Sequence, residues 1–249
     1  MRVSEIEHAH VGGQKSVVLR FLAAPMDANV RGYVGGGKIL EWIDKAGYAA
    51  AAAWSGKYSV TGYVGNIHLH RVVNVGDMVE VEARVVYTGR TSLQVVCTVT
   101  SHNPRDDVRV TNTQCLLVFV AMDADGKPTP VPPFTPEDDW EREENERAQV
   151  LTAVRREVEE AMAVQVYSDA TETCRETLRF LAAPTDVNWG GKVHGGYVMH
   201  WIMTAGKLVA ERWFHGHARA TYAGGFRFYR PMYIGDIVEV DARLIYTDG

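Results

Sequence analysis

Asp44 lies in an unusual neighbourhood for a carboxylate. The run from Gly36 to Trp54 is rich in alanine and apolar on most sides, with Trp42, Ile43 and Ala46 flanking the acid. Stripped of water, such an acid becomes a better base toward a proton on water or substrate. The run opens on Gly36 and Gly37, and a second pair, Gly195 and Gly196, opens a similar run later in the chain. The first N–H groups of a helix lack carbonyl partners and lie at its positive end, where glycine lets a carbonyl oxygen approach closely. They suit the negative charge that develops on an oxygen as a carbonyl is attacked. Asn29 and Asn188, shortly before the two glycine pairs, each carry a donor and an acceptor that can hold a water or a carbonyl in line.

Each of these residues also has a plainer role open to it. Asp44 can share a solvated helix face with Glu41. Asn29 and Asn188 stand in loops, where such side chains commonly organise turns. His194 can simply hydrogen-bond a backbone carbonyl beneath the helix. His68 with His70, and His215 with His217, have a spacing that puts both rings on one face of a strand, but no further ligands accompany them and no metal site is expected. Cys97, Cys115 and Cys174 show no metal or disulfide spacing and read as small core residues.

The elements that must position these groups occur twice. Arg20-Phe-Leu-Ala-Ala-Pro25 returns as Arg179-Phe-Leu-Ala-Ala-Pro184, and the match continues without a gap from Arg20–Arg90 against Arg179–Gly249, with roughly 40% of paired positions identical. A period this long implies two copies of a domain rather than a solenoid. In the first copy, residues 17–24 form an entry strand ending at Pro25, and a loop leads to the alanine-rich helix from Gly36. Four β-branched runs follow at 58–71, 78–87, 92–101 and 108–122. A strand, a helix apolar all round and an antiparallel meander predict an α+β packing, in which a sheet curls around a buried helix.

The expected organisation is a first domain over 1–123, a linker over 124–174 and a second domain over 175–249. The linker begins proline-rich and continues crowded with Glu and Arg, which predicts a solvent-facing helical spacer. The second copy ends at the counterpart of Arg90, so its sheet should lack its last two strands and leave its helix partly uncovered. The expectation is that the chain is a shortened form of a longer protein, or that another chain covers the gap. With 46% hydrophobic and 23% charged residues and a net charge of −5, the composition is that of a globular protein, and it argues against a nucleic-acid or anionic-membrane surface. Neither a leader nor a long apolar span is visible, so the cytoplasm is the expected compartment.

Taken in order, Asp27-Ala-Asn29, Gly36-Gly37-x-Ile-Leu-x-x-Ile-Asp44-x-Ala-Gly47, Arg71-x-x-x-Val-Gly76-Asp77-x-Val and Thr88-Gly-Arg-Thr-Ser92 resemble the hotdog-fold acyl-CoA thioesterases, specifically the double-hotdog acyl-CoA hydrolases. The resemblance implies tandem hotdogs whose sheets join, with an acyl-CoA substrate bound at each interface between copies and no metal or redox cofactor. It also implies further association into a homo-oligomer, a trimer of two-copy chains. The implied catalytic pair is an Asp on the helix of one copy and an Asn from the loop of the other. Asp44 would act with Asn188, beside Gly195, Gly196 and His194. The opposite site would combine Asn29 with Met203, which stands where the acid would be, so one working site per chain is expected. Arg90, Thr91 and Ser92 would lie near the pantetheine or phosphates of CoA, although a hairpin turn explains them equally well. A non-catalytic acyl-CoA-binding hotdog protein is the alternative from another class.

Overall fold

The computed structural model describes residues 12–106, 108–165, 173–188 and 190–248; the amino-terminal stretch considered for a leader lies outside them. The first repeat contains β1 (Ser16–Leu22), α1 (Gly36–Ser55), β2 (Ser59–Val64), β3 (Ile67–His68), β4 (Met78–Thr88), β5 (Ser92–His102) and β6 (Val110–Ala121). The strands pair antiparallel in the order β1-β4-β5-β6-β2 and curl around α1. Val79, Val81, Ala83, Val95, Cys97, Val99, Leu117 and Phe119 point from alternate strand positions onto Leu40, Ile43, Ala46 and Ala50 of the helix. The α1 helix is therefore the axis of the core. It ends where Gly56 adopts a left-handed φ of 65° and donates its N–H to the Ala52 carbonyl. The long run expected at 58–71 is broken into β2 and β3 at Gly65 and Asn66.

Between the repeats, α2 (Asp139–Val164) is capped by the Asp138 side chain, which accepts from the Glu141 N–H. It is less of a free spacer than its charge suggests. Ala148 is buried against Val86 and Val96 on the outer face of the sheet. Asn145 Nδ2 donates to the Val86 carbonyl at 2.7 Å, and the Arg84 guanidinium lies 4.0 Å from the Trp140 ring centre. The proline-rich stretch before α2 also packs. Phe134 meets Trp54, whose indole N–H donates to the Pro132 carbonyl at 3.1 Å.

The second repeat has β7 (Arg175–Leu181), α3 (Gly195–Phe214), β8 (Tyr222–Ala223), β9 (Phe226–Arg227) and β10 (Ile237–Arg243). It reproduces local details of the first. Phe21 stacks on Trp42 at 5.2 Å, and their counterparts Phe180 and Trp201 stack at 5.0 Å. The Asp27 carboxylate accepts from the Ala24 N–H, and Asp186 accepts from that of Ala183, both at 3.0 Å. The sheets join reciprocally, β2 with β9 and β3 with β8, where β8 and β9 are the counterparts of the end of β2 and of β3. Such pairing describes a local two-fold relation between repeats. Along α3 some positions are more exposed than their counterparts on α1. Ile202 is 39% exposed against 0% for its counterpart Ile43, and Trp213 is 54% exposed against 6% for Trp54. No described helix is long and apolar enough to cross a membrane.

Candidate active site

The two-fold relation puts α1 and α3 side by side at their glycines. A Cβ on Gly196 would lie 2.6 Å from Glu41 Cα, and one on Gly37 would lie 3.0 Å from His200 Cα, so each helix start presses on the middle of the other helix. Glycine is required there because backbones meet. This approach brings the first turn of α3 onto Asp44, which is 0% exposed.

A buried carboxylate must be hydrogen-bonded or paired, and Asp44 is held from both repeats. Thr61 on β2 donates to its Oδ1 at 2.7 Å, while the Gly196 N–H donates to Oδ2 at 2.8 Å. His194, which precedes α3, places Nδ1 against Oδ2 as well. The Gly196 N–H also lies 3.4 Å from His194 Nδ1. The Gly196 N–H thus lies between the carboxylate and the imidazole, nearer the carboxylate. His194 contacts the carboxylate itself, beyond the backbone role open to it from sequence.

Asp44 forms part of a cleft of about 1110 Å³ between the repeats, which Thr61, Tyr58, Asn188, His194, Gly195 and Tyr233 also line. Asn188 reaches it from a turn closed by the Asn188 N–H to the Lys192 carbonyl at 2.8 Å. Its Oδ1 accepts from the Gly190 N–H at 3.0 Å, the Lys192 N–H at 3.3 Å and the Tyr58 hydroxyl at 3.0 Å. Backbone N–H groups can only donate, so the amide has one orientation, and its Nδ2 remains as a donor. Asn188 thus serves as a donor; of the two roles open to it, holding a carbonyl fits and accepting from a water does not. Gly195, whose N–H belongs to the partnerless first turn, lines the same cleft.

The opposite interface lacks this set. Met203 replaces the acid, Ala220 stands for Thr61 and Gly35 for His194. Met203 packs against the first repeat's core, within 3.2 Å of a Cβ placed on Gly36. Asn29 keeps its turn, its Oδ1 accepting from the Arg31 N–H at 2.8 Å, but it does not line the cleft of Asp44. At the crossing of the helices Glu41 faces His200, its own counterpart, and accepts from Lys38 Nζ at 3.0 Å. Glu41 is buried, so it is not on a solvated face with Asp44.

Arg90 and Thr91 lie in the turn from β4 to β5, and Ser92 opens β5. Their carbonyls accept from Val131, Ala121 and Gly89 respectively, and none lines the cleft. The cations that do line it are Lys57, Lys192 and Arg230. Sequence reasoning passed over Thr61 and Tyr58, although both differ from their counterparts, Ala220 and His217, as Asp44 does from Met203. His68 and His70 stack on each other with ring centres 5.2 Å apart.

A family model described as Thioesterase superfamily matches residues 31–107 and 190–249, more than half of the chain and parts of both repeats. The chain belongs to that superfamily. Acyl-CoA thioester hydrolase YciA of Salmonella typhimurium is 35% identical over 48% of this chain and 92% of its own length. Acyl-coenzyme A thioesterase 11 of Mus musculus is 25% identical across 86% of this chain, which spans 38% of that protein. Among solved structures, an apo-hexameric acyl-CoA thioesterase superposes with a TM-score of 0.56 at 31% identity, over 60% of this chain and 94% of its own. An acyl-CoA hydrolase of Staphylococcus aureus, solved with butyryl coenzyme A and coenzyme A, gives 0.54 at 26% identity over 60% and 92%. The fold is the tandem hotdog that the motifs implied.

Proposed function

We propose that the chain hydrolyses acyl-CoA thioesters to the free acid and CoA, in the cleft between repeats. One observation carries this reading: a fully buried carboxylate, Asp44, is gripped by donors from both repeats in a cleft that also presents Asn188. A protein that only bound acyl-CoA would have no use for a carboxylate buried at such cost.

Asp44 takes a proton from water as the water oxygen attacks the thioester carbon. Asn188 Nδ2 and the Gly195 N–H donate to the carbonyl oxygen as it gains charge. Collapse of the adduct breaks the carbon–sulfur bond, and the proton held by Asp44 passes to the departing thiolate of CoA. His194 and Thr61 keep the carboxylate oriented. Lys57, Lys192 and Arg230 suit the phosphates of CoA, a better placement than Arg90, Thr91 and Ser92. The other interface has Met203, Ala220 and Gly35 in place of Asp44, Thr61 and His194, so one working site per chain remains part of the proposal.

The full assembly belongs to the same reading. A hexamer of single-repeat chains corresponds to a trimer of two-repeat chains, and the hexameric relative supports a homo-oligomer. The cytoplasm suits an enzyme whose three cysteines are free thiols. The test is a panel of acyl-CoA substrates with thiol detection, applied to Asp44→Ala and Met203→Ala. Loss of about 10²–10⁴-fold in the first and near-normal turnover in the second are expected; equal loss in both would put the site in the wrong half.

A further inference from the structure

We infer that Tyr58 is a positioning residue for the hydrolysis, locking the Asn188 amide so that its N–H groups face the substrate. The inference rests on the reading of the cleft proposed above. Tyr58 belongs to the first repeat and Asn188 to the second, and the phenol hydroxyl donates to Asn188 Oδ1 at 3.0 Å across the interface. Because that oxygen already accepts from two backbone N–H groups, the phenol fixes a third direction around it and leaves the amide no freedom to rotate.

The chain is shaped around this contact. A Cβ on Gly190 would lie 2.6 Å from Tyr58 Cζ and 2.8 Å from its hydroxyl oxygen, so the turn that carries Asn188 packs directly on the phenol. Lys192, from the same turn, places its ammonium 5.4 Å from the centre of the ring. Burial raises the phenol's pKa despite its bond to Asn188, which keeps the hydroxyl protonated as a donor. Tyr58 also immediately precedes β2, whose Thr61 donates to Asp44. One short segment of the first repeat thus holds the acid and, across the interface, the amide that would act with it.

The opposite interface shows that the contact is not a by-product of the fold. The counterpart of Tyr58 is His217, which pairs with Glu211 at 3.6 Å. Asn29, the counterpart of Asn188, has the Arg31 N–H as its Oδ1 donor, with no cross-repeat donor among the described residues. The cross-repeat bond is present where the acid is present and missing where it is missing.

The experiment compares Tyr58→Phe, Asn188→Ala and the double variant in the full chain, reading kcat and KM by thiol release and the urea midpoint for stability. Loss of one hydrogen bond that matters in the transition state predicts a fall in kcat of about tenfold for Tyr58→Phe, with little change in KM or urea midpoint and no further loss in the Asn188→Ala background. A readout independent of turnover is the Asn188 side-chain amide resonance, which should lose its distinct shift in Tyr58→Phe. Unchanged kcat and an unchanged amide signal would overturn the proposal, as would an equal loss with and without Asn188. Undiminished turnover in both Asp44→Ala and Asn188→Ala would instead overturn the reading of the cleft, and this inference with it.

Discussion

Thr61→Val removes one hydroxyl and keeps the shape of the side chain, so it isolates the bond from β2 to Asp44. Thr61 donates to Oδ1 at 2.7 Å, while Gly196 and His194 both serve Oδ2. No other donor to Oδ1 is found among the described residues. A hydrogen bond to a charged group is worth about 1.5–3 kcal/mol. If that loss falls on the alignment of the carboxylate during attack, turnover slows by about ten- to a hundredfold. If it falls on the folded state, the urea midpoint drops by a matching amount at constant slope. Both are measurable on one preparation, by thiol release and by denaturation followed through tryptophan fluorescence. The control is the Asp44→Met background, which copies Met203: there the acceptor is gone, and Thr61→Val should be nearly silent. The same cost in both backgrounds would show that Thr61 acts through packing, and wild-type turnover in Thr61→Val would show that the carboxylate does not need it.

Two other perturbations probe the crossing of the helices. Burial alone would raise the Glu41 carboxyl, but hydrogen bonds from His200 and Lys38 outweigh it and hold the group below its ordinary value of 4.5. A lowered folded-state pKa gives stability that is present above the unfolded value and lost as pH falls through the folded one. Between pH ~5 and ~3 the urea midpoint should therefore fall more steeply in the wild type than in Glu41→Gln; parallel curves would remove Glu41 from the account. Gly196→Ala places a methyl carbon 2.6 Å from Glu41 Cα, a contact that only separation of the helices relieves. It should lower the melting temperature and turnover together, whereas an unaltered melting temperature would contradict the close crossing.

Periodicity and the repeat made most of the fold legible, for a physical reason. A helix apolar on every side has to be enclosed, and the β-branched runs after α1 can enclose it only by curling around it. Asp44 was visible because a charge in such a helix is expensive. The docking of α2 was not visible. Its buried positions, Glu141, Glu144 and Ala148, give no apolar stripe, since much of its hold is polar: Asn145 on the Val86 carbonyl, Glu141 with Lys15 and Thr152 with Gln94, around the small buried residue Ala148. Arg90, Thr91 and Ser92 stood out by motif, but the Gly89 N–H closes a turn on the Ser92 carbonyl, the Arg90 and Thr91 carbonyls accept from Val131 and Ala121, and such a turn needs no ligand to account for it.

The partners of Asp44 were hidden for a different reason, which the two-fold relation makes clear. In a structure of this kind, one site is assembled from different positions of the two copies: Asp44, Thr61 and Tyr58 come from the first, Asn188, His194 and Gly196 from the second. The losses at the opposite interface are accordingly divided, with Met203, Ala220 and His217 in the second copy and Gly35 in the first. Aligning the copies shows these as scattered differences, each explicable as drift. Folding the alignment about the two-fold brings them together, because Met203, Ala220, His217 and Gly35 fall at one interface, while Asp44, Thr61, Tyr58 and His194 fall at the other. The asymmetry is therefore of side chains at the interfaces rather than of the core: both copies keep the core contacts, such as Phe21 on Trp42 and Phe180 on Trp201, while the carboxylate held by Thr61, Gly196 and His194 has Met203 as its counterpart.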